Sequence, residues 1–131
     1  MKQTFTKEER LISKNLLEQL FAEGKQLKAF PFRLVYIKTV LHTNYPAQVA
    51  IAVPKRLIKI AVHRNKIKRQ MREAYRKNKQ TVYDELSENY VFIITFIDTK
   101  EWKSADLEVK MKTLLEKFVK TIKENQQQSL N

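Results

Sequence analysis

From residue 64 to residue 76 the chain reads Arg-Asn-Lys-Ile-Lys-Arg-Gln-Met-Arg-Glu-Ala-Tyr-Arg. A guanidinium offers planar, bidentate matching to phosphate and stacks on bases. At helical spacing Asn65, Arg69, Arg72 and Arg76 fall within about 60° of one another, with Lys68 on the flank. Ile67, Met71 and Ala74 fall on the opposite side and make a narrow apolar stripe. A helix here would lay the stripe on a sheet and point three guanidiniums and one amide away from it. Asn65 can read a base edge, bridge a 2′-hydroxyl or cap adjacent backbone.

Other chemistry is thinly supplied. The chain has no Cys and only two His, His42 and His63. That excludes a disulfide framework, thiol chemistry and Cys-ligated metal, and leaves no material for a classical zinc site or a His-based triad. Asp84, Glu85 and Glu88 read as a solvated helix end or loop. Asp98 and Glu101 follow a strongly apolar run, but lack a His or a second spaced pair that would make them catalytic. His63 lies among cations at the start of the basic run; a structural or solvent-facing role is expected of it.

The charge has a location. The chain carries 26 Lys+Arg against 14 Asp+Glu over 131 residues, a formal net charge of +12. Residues 55–80 hold eleven basic residues and one acidic residue, Glu73. The stretch before them is mildly basic and the stretch after them slightly acidic. Such a concentration repels itself unless an anion is present, and it predicts a polyanion-binding surface. The length suits one domain with one core. With 43% hydrophobic residues the composition is that of a folded chain, not a disordered basic tail. The first residues lack an apolar signal region, and no window approaches 18 apolar residues. A soluble cytoplasmic protein without a membrane role is expected.

The elements that must position the basic stripe follow from periodicity. A first helix is predicted over 13–23, with Ser13 as N-cap, Ile12 and Leu17 as a staple, and Leu16, Leu17, Leu20 and Phe21 at helical spacing. Gly24, the only glycine, reads as a left-handed C-cap. A short edge strand over 25–29 and a long strand over 31–40 follow, then a turn at 42–46 and a strand over 48–53 stopped by Pro54. The basic helix is predicted over 61–79, and the run 90–97 reads as a central buried strand. A last helix starts near Ser104, with Leu107, Met111, Leu114, Leu115, Phe118 and Ile122 as its core face. The tail from Asn125 to residue 131 is polar and expected to fray. The order α-β-β-β-α-β-α implies an α+β fold, a two-layer α/β sandwich with helices on a sheet. A single glycine in the chain leaves no phosphate-cradling Gly-rich loop.

Phe21, Phe30, Phe32 and Tyr36 lie on the first helix and the first long strand. That strand is apolar on both faces, so some rings are expected to line a cleft. Aromatics beside positive charge are a platform for single-stranded RNA.

The run Ala61-Val62-His63-Arg64-Asn65-Lys66-Ile67-Lys68-Arg69-Gln70-Met71-Arg72-Glu73 resembles the signature helix of the bacterial ribonuclease P protein family, which carries Ala-Val-x-Arg-Asn-x-x-Lys-Arg-x-x-Arg-Glu. The resemblance extends along the chain through Arg10-Leu11, Leu17, Phe21, Gly24, Phe32 to Tyr36, Val53 to Arg56 and Tyr90 to Ile94. Pro54 stands where the family commonly has Ser, and Leu57 to Ile60 form a Gly-free loop. The resemblance implies one ribonuclease P protein domain over 1–131. It implies a fold like ribosomal protein S5 domain 2, with a left-handed βαβ crossover. It further implies a catalytic RNA partner, one protein per RNA, that carries Mg²⁺ and cleaves the 5′ leader from precursor tRNA. Lys55, Arg56, Arg64, Asn65, Lys66, Lys68, Arg69, Arg72 and Arg76 would bind that RNA. Leu17, Phe21, Phe32 and Tyr36 would form the leader cleft. No residue of the protein would be catalytic.

Two other readings compete. A structural RNA-binding protein of ribosomal type would show the same charge without a role in cleavage. A DNA-binding module would lay helix 61–79 in a major groove, but strands rather than a short helix precede it, which disfavours a helix-turn-helix. DNA is therefore not expected as a partner.

Overall fold

The computed structural model describes residues 5–41 and 45–130, with side chains through Gln126. The predicted turn at 42–46 lies partly outside the described residues. The order is α1 (Lys14–Glu23), β1 (Lys25–Ala29), β2 (Phe32–Lys38), β3 (Ala47–Ala52), α2 (Ala61–Glu85), β4 (Tyr90–Phe96) and α3 (Ser104–Leu130), preceded by a 3-10 turn at Lys7–Glu9. This is the predicted α-β-β-β-α-β-α order.

The four strands lie in the order β1-β2-β4-β3. β1 pairs antiparallel with β2, β2 antiparallel with β4, and β3 parallel with β4. The parallel pair requires a crossover, which α2 makes. Every residue of β4 is buried, as its continuous apolar run predicts.

Strand alternation splits the sheet into two cores. Phe32, Leu34 and Tyr36 of β2, Val49 of β3 and Phe92, Ile94 and Phe96 of β4 face α2 and α3. Ile37 of β2 and Val91 and Ile93 of β4 face the other way, against Leu11 and Leu20. Two helices cover one face, and α1 with Leu11 covers part of the other. The apolar character of both faces of β2 thus has a packing cause.

α1 begins where Ser13 predicts, with Ser13 Oγ accepting from Leu16 N at 3.3 Å. Ile12 remains 69% exposed, so the predicted staple does not close. Gly24 is a correction: its backbone is extended, not left-handed. Glycine is required there by space, since a Cβ would collide with the Leu20 carbonyl oxygen and with Val35 Cγ1. α1 can thereby turn directly into β1.

Two helices run further than their periodicity indicates. α2 continues six residues past 79, to Glu85, because Val82 is buried and extends the apolar stripe. α3 runs to Leu130, and Gln126 donates to Ser87 Oγ at 3.0 Å, so residues 125 and 126 are packed helix and not frayed chain.

One buried polar cluster has no local signal in the sequence. Glu9 is 0% exposed and Lys79 4%, and they pair at 2.5 Å. Glu9 Oε1 accepts from Thr6 N and Thr6 Oγ1, and Oε2 accepts from Lys79 Nζ and from Tyr83 OH at 2.7 Å. The carboxylate is therefore fully satisfied, which is the condition for tolerating it in the interior. Burial alone would raise the Glu9 pKa, but the hydrogen bonds from Lys79, Thr6 and Tyr83 outweigh it and hold it below 4.5. Burial pushes the Tyr83 hydroxyl pKa up, so it stays a donor. The cluster ties the N-terminal strap to α2, and the strap covers the outer edge of β3 through Leu11 N to Val49 O at 2.9 Å.

Lys79→Met should therefore leave an uncompensated buried carboxylate and cost about 3–5 kcal/mol near pH 7. A lowered folded-state pKa means that the pair's contribution is fully present above 4.5 and is lost as pH falls through the lower folded value. Urea unfolding of wild type and variant near pH 7 and near pH 3 should show the gap narrow in acid. A gap that is small near pH 7, or equal at both pH values, would count against the pair.

Candidate nucleic-acid interface

α2 is held on the sheet by Ile67, Met71, Ala74, Tyr75 and Val82, all buried. That fixes the opposite side outward. Asn65, Lys66, Arg69 and Arg72 are exposed there, with Lys68 half-buried beside them. Lys55 and Arg56 are exposed in the turn after β3. Among the described residues none of these seven side chains has a hydrogen-bond or ion-pair partner. Val62, Asn65, Lys68, Arg69 and Arg72 surround one shallow depression on this face.

Two of the predicted RNA-binding residues are engaged within the protein. Arg64 folds back, and one terminal guanidinium nitrogen donates to Ile58 O at 3.0 Å and Lys59 O at 2.8 Å. Ile58 is buried, and both Leu57 N and Ile58 N donate to Pro54 O. The loop 54–60 is thus closed at its start by Pro54 and at its end by Arg64, which explains how it dispenses with glycine. Arg76 grips Glu73 through Nε at 3.0 Å and through a second, shorter contact. Its remaining surface is still half-exposed beside Arg72.

The acidic and His candidates have structural partners. Asp98 Oδ2 accepts from Trp102 Nε1 at 2.7 Å, and Oδ1 accepts from Thr99 N and Lys100 N. Burial would raise the Asp98 pKa, but these hydrogen bonds outweigh it and lower it. Glu101 lies 2.9 Å from His63 Nδ1 and joins the start of α2 to the loop before α3. Among the described residues no group of three or more His, Asp or Glu is placed to hold a metal ion.

The cleft residues divide. Phe21 is 69% exposed on α1, and Leu17 is half-buried one turn before it. Phe32 and Tyr36 are corrected: at 0% and 5% exposure they belong to the core under α2 and α3. Tyr36 packs edge-on to Phe118 at 5.1 Å, and Phe32 to Phe96 at 6.3 Å. α1 sits over the odd-numbered positions of β2, so even-numbered ones cannot face it. Val35 of β2 and Ala50 and Ala52 of β3 are instead the half-buried residues on the α1 side. The parity of Val35 relative to Phe32 on the same strand was readable; the register that places Ala50 and Ala52 beside it, and the face that α1 would cover, were not.

An outward arginine face on a sheet-packed helix, beside carboxylates already tied into loops, defines an α/β sandwich suited to binding a polyanion. The family model described as Ribonuclease P matches residues 5–119. The chain belongs to that family, the protein component of bacterial ribonuclease P. Over 87 residues it is 36% identical to the ribonuclease P protein component of Porphyromonas gingivalis, covering 66% of this chain and 64% of that protein. The chain therefore spans just under two thirds of that relative's length. It is 35% identical over 104 residues to the ribonuclease P protein component of Petrotoga mobilis, covering 79% and 83% of the two chains. Its fold is similar to the RNase P protein of Staphylococcus aureus, with a TM-score of 0.66, 19% identity and coverage of 82% and 93%. The RNase P protein of Thermotoga maritima gives a TM-score of 0.66, with 23% identity and coverage of 83% and 96%.

The geometry separates Arg64 from its neighbours. Arg64→Ala should free the 54–60 loop and cost about 1.5–3 kcal/mol, the range for lost hydrogen bonds to a charged group. Arg69→Ala should leave thermal unfolding within about 0.5 kcal/mol, as for a surface change. Equal melting temperatures for the two variants would refute the assignment of Arg64 to the loop.

Proposed function

We propose that this chain is the protein partner of a catalytic RNA and assists its removal of the 5′ leader from precursor tRNA. The observation that carries the reading is the α2 face, where Asn65, Lys66, Lys68, Arg69 and Arg72 point outward without protein partners. On this reading Lys55, Arg56 and those α2 residues bind phosphates of the RNA, one protein to one RNA, in the cytoplasm. Arg64 acts indirectly, by shaping the loop that presents Lys55 and Arg56.

The leader would lie on the sheet face that α1 covers only in part. Leu17 and Phe21 form its wall, and Val35, Ala50 and Ala52 its floor. The small side chains at 50 and 52 leave room there, and an exposed ring at 21 offers a stacking surface. The protein's part is positioning: it holds the leader on the 5′ side of the scissile bond and lowers the entropy cost of alignment.

Asp98 and Glu101 are a poor fit for the Mg²⁺ that the reaction class implies, because their carboxylates are already held by Trp102 and His63. The proposal places the metal on the RNA. No step is assigned to a protein-bound ion.

The hydrogen-bond pattern supports the left-handed crossover as well. In a strand of L-residues running upward, a residue whose side chain points to the viewer aims its N–H and C=O to the right. Val49 points toward α2 and α3, and its carbonyl meets Leu11 on the outer edge of β3. From the helical side β4 therefore lies to the left, and β3-α2-β4 winds against the usual right-handed sense.

The test is reconstitution. The protein is mixed with its organism's ribonuclease P RNA and precursor tRNA at low Mg²⁺, and 5′ leader release is measured. Cleavage should rise on adding protein, and no rise would reject the function. Phe21→Ala should weaken precursor tRNA binding roughly tenfold, which is one lost stack of about 1.4 kcal/mol. Mature tRNA, lacking the leader, should bind as before. Equal losses for both would remove Phe21 from the cleft.

A further inference from the structure

A second depression, of about 520 Å³, opens where the N-terminal strap, α2 and the start of α3 meet. Phe5, Arg10, Arg69, Arg72, Glu73 and Arg76 line it. Its one carboxylate, Glu73, is gripped by Arg76 and approached by Lys77 at 4.0 Å. Arg10, Arg69 and Arg72 thus border one wide, open depression whose single carboxylate is already paired with Arg76. Like charges focused in a concave site repel one another, and a bound anion offsets that cost.

Arg10 is the unexpected member, because it does not belong to α2. Its guanidinium lies 5.5 Å from the centre of the Phe5 ring, and that ring packs edge-on against Tyr75 at 5.6 Å. Its neighbours fix it from both sides. Glu9 is buried against Lys79 and Tyr83, and Leu11 N is bonded to Val49 O. With Glu9 and Leu11 turned inward, Arg10 is exposed at the rim.

We propose that this depression is a phosphodiester site for the RNA backbone, in which Arg10 completes a set begun by Arg69 and Arg72. Glu9 is its positioning residue: the buried pair with Lys79 holds the strap so that Arg10 meets the helix. The proposal rests on α2 as an RNA-docking face and extends that face onto the strap. A polymer is favoured over a small anion because Arg69 and Arg72 also line the depression beside Asn65 and Lys68. The two depressions share Arg69 and Arg72 and so adjoin on the same helix.

The test uses the full chain and its organism's ribonuclease P RNA, with affinity measured over a range of KCl concentrations. Arg10→Ala should weaken binding roughly tenfold and reduce the log-log salt slope by about one, the signature of one lost phosphate contact. Its melting temperature should fall only slightly, by the loss of one contact with the Phe5 ring. Arg10→Lys should keep the slope while recovering only part of the affinity. Glu9→Gln should copy the affinity loss, and the double variant should lose no more than Arg10→Ala alone. An unchanged slope for Arg10→Ala, with Arg72→Ala still weakening binding, overturns the strap site and leaves the docking face standing. If neither variant changes affinity, both readings fall. A drop in melting temperature that accounts for the affinity loss, with the slope intact, makes Arg10 structural and overturns the site. Inorganic phosphate at matched ionic strength should compete weakly. Saturable, Arg10-dependent binding of micromolar phosphate would overturn the RNA assignment in favour of a small anion.

Discussion

Strand β4 must be covered on both faces, and the rest of the molecule is arranged around that demand. Its seven residues are all buried, and alternation sends them into two separate cores. Tyr90, Phe92, Ile94 and Phe96 need two helices above them, and α2 and α3 supply the cover. Val91 and Ile93 need less, and α1 with Leu11 suffices. The unequal cover leaves a part of the sheet with only small or half-buried side chains over it. A cleft there is a consequence of where apolar area ran out, not of a separate device.

The same demand orients the charge. α2 turns Ile67, Met71 and Ala74 down because β4 and its neighbours lie beneath them. The arginines on its far side have no freedom to turn inward. Helical geometry converts a packing requirement on one face into an electrostatic surface on the other. The clustered charge raises the free energy of the folded chain, and the core tolerates it because the stripe beneath is continuous.

Glu9 and Lys79 show a different compromise. A buried ion pair gains little over well-packed apolar residues, but losing one partner is costly. Its effect here is geometric, since it fastens a segment of the chain with little apolar area of its own. The strap then shields the open edge of β3 and brings Arg10 alongside residues some sixty positions later in sequence. Nothing in the spacing around Glu9 marks it as buried, because its partners Lys79 and Tyr83 lie at the far end of α2.

The order of elements, the buried strand, the Ser13 cap and the basic face of α2 were legible in the sequence, because each depends on residues within a few turns of one another. Periodicity reports local faces, and local faces are what it identified correctly. The role of Gly24, the fate of Phe32 and Tyr36, and the partners of Arg64 and Glu9 were decided by tertiary structure. Gly24 is forced by the nearness of Val35, and Tyr36 is core because α2 and α3, not α1, close over its side of the sheet. Alternation tells which strand residues share a face, but the identity of that face depends on which helix arrives to cover it. That choice is made by contacts between segments far apart in the chain, where spacing carries no information.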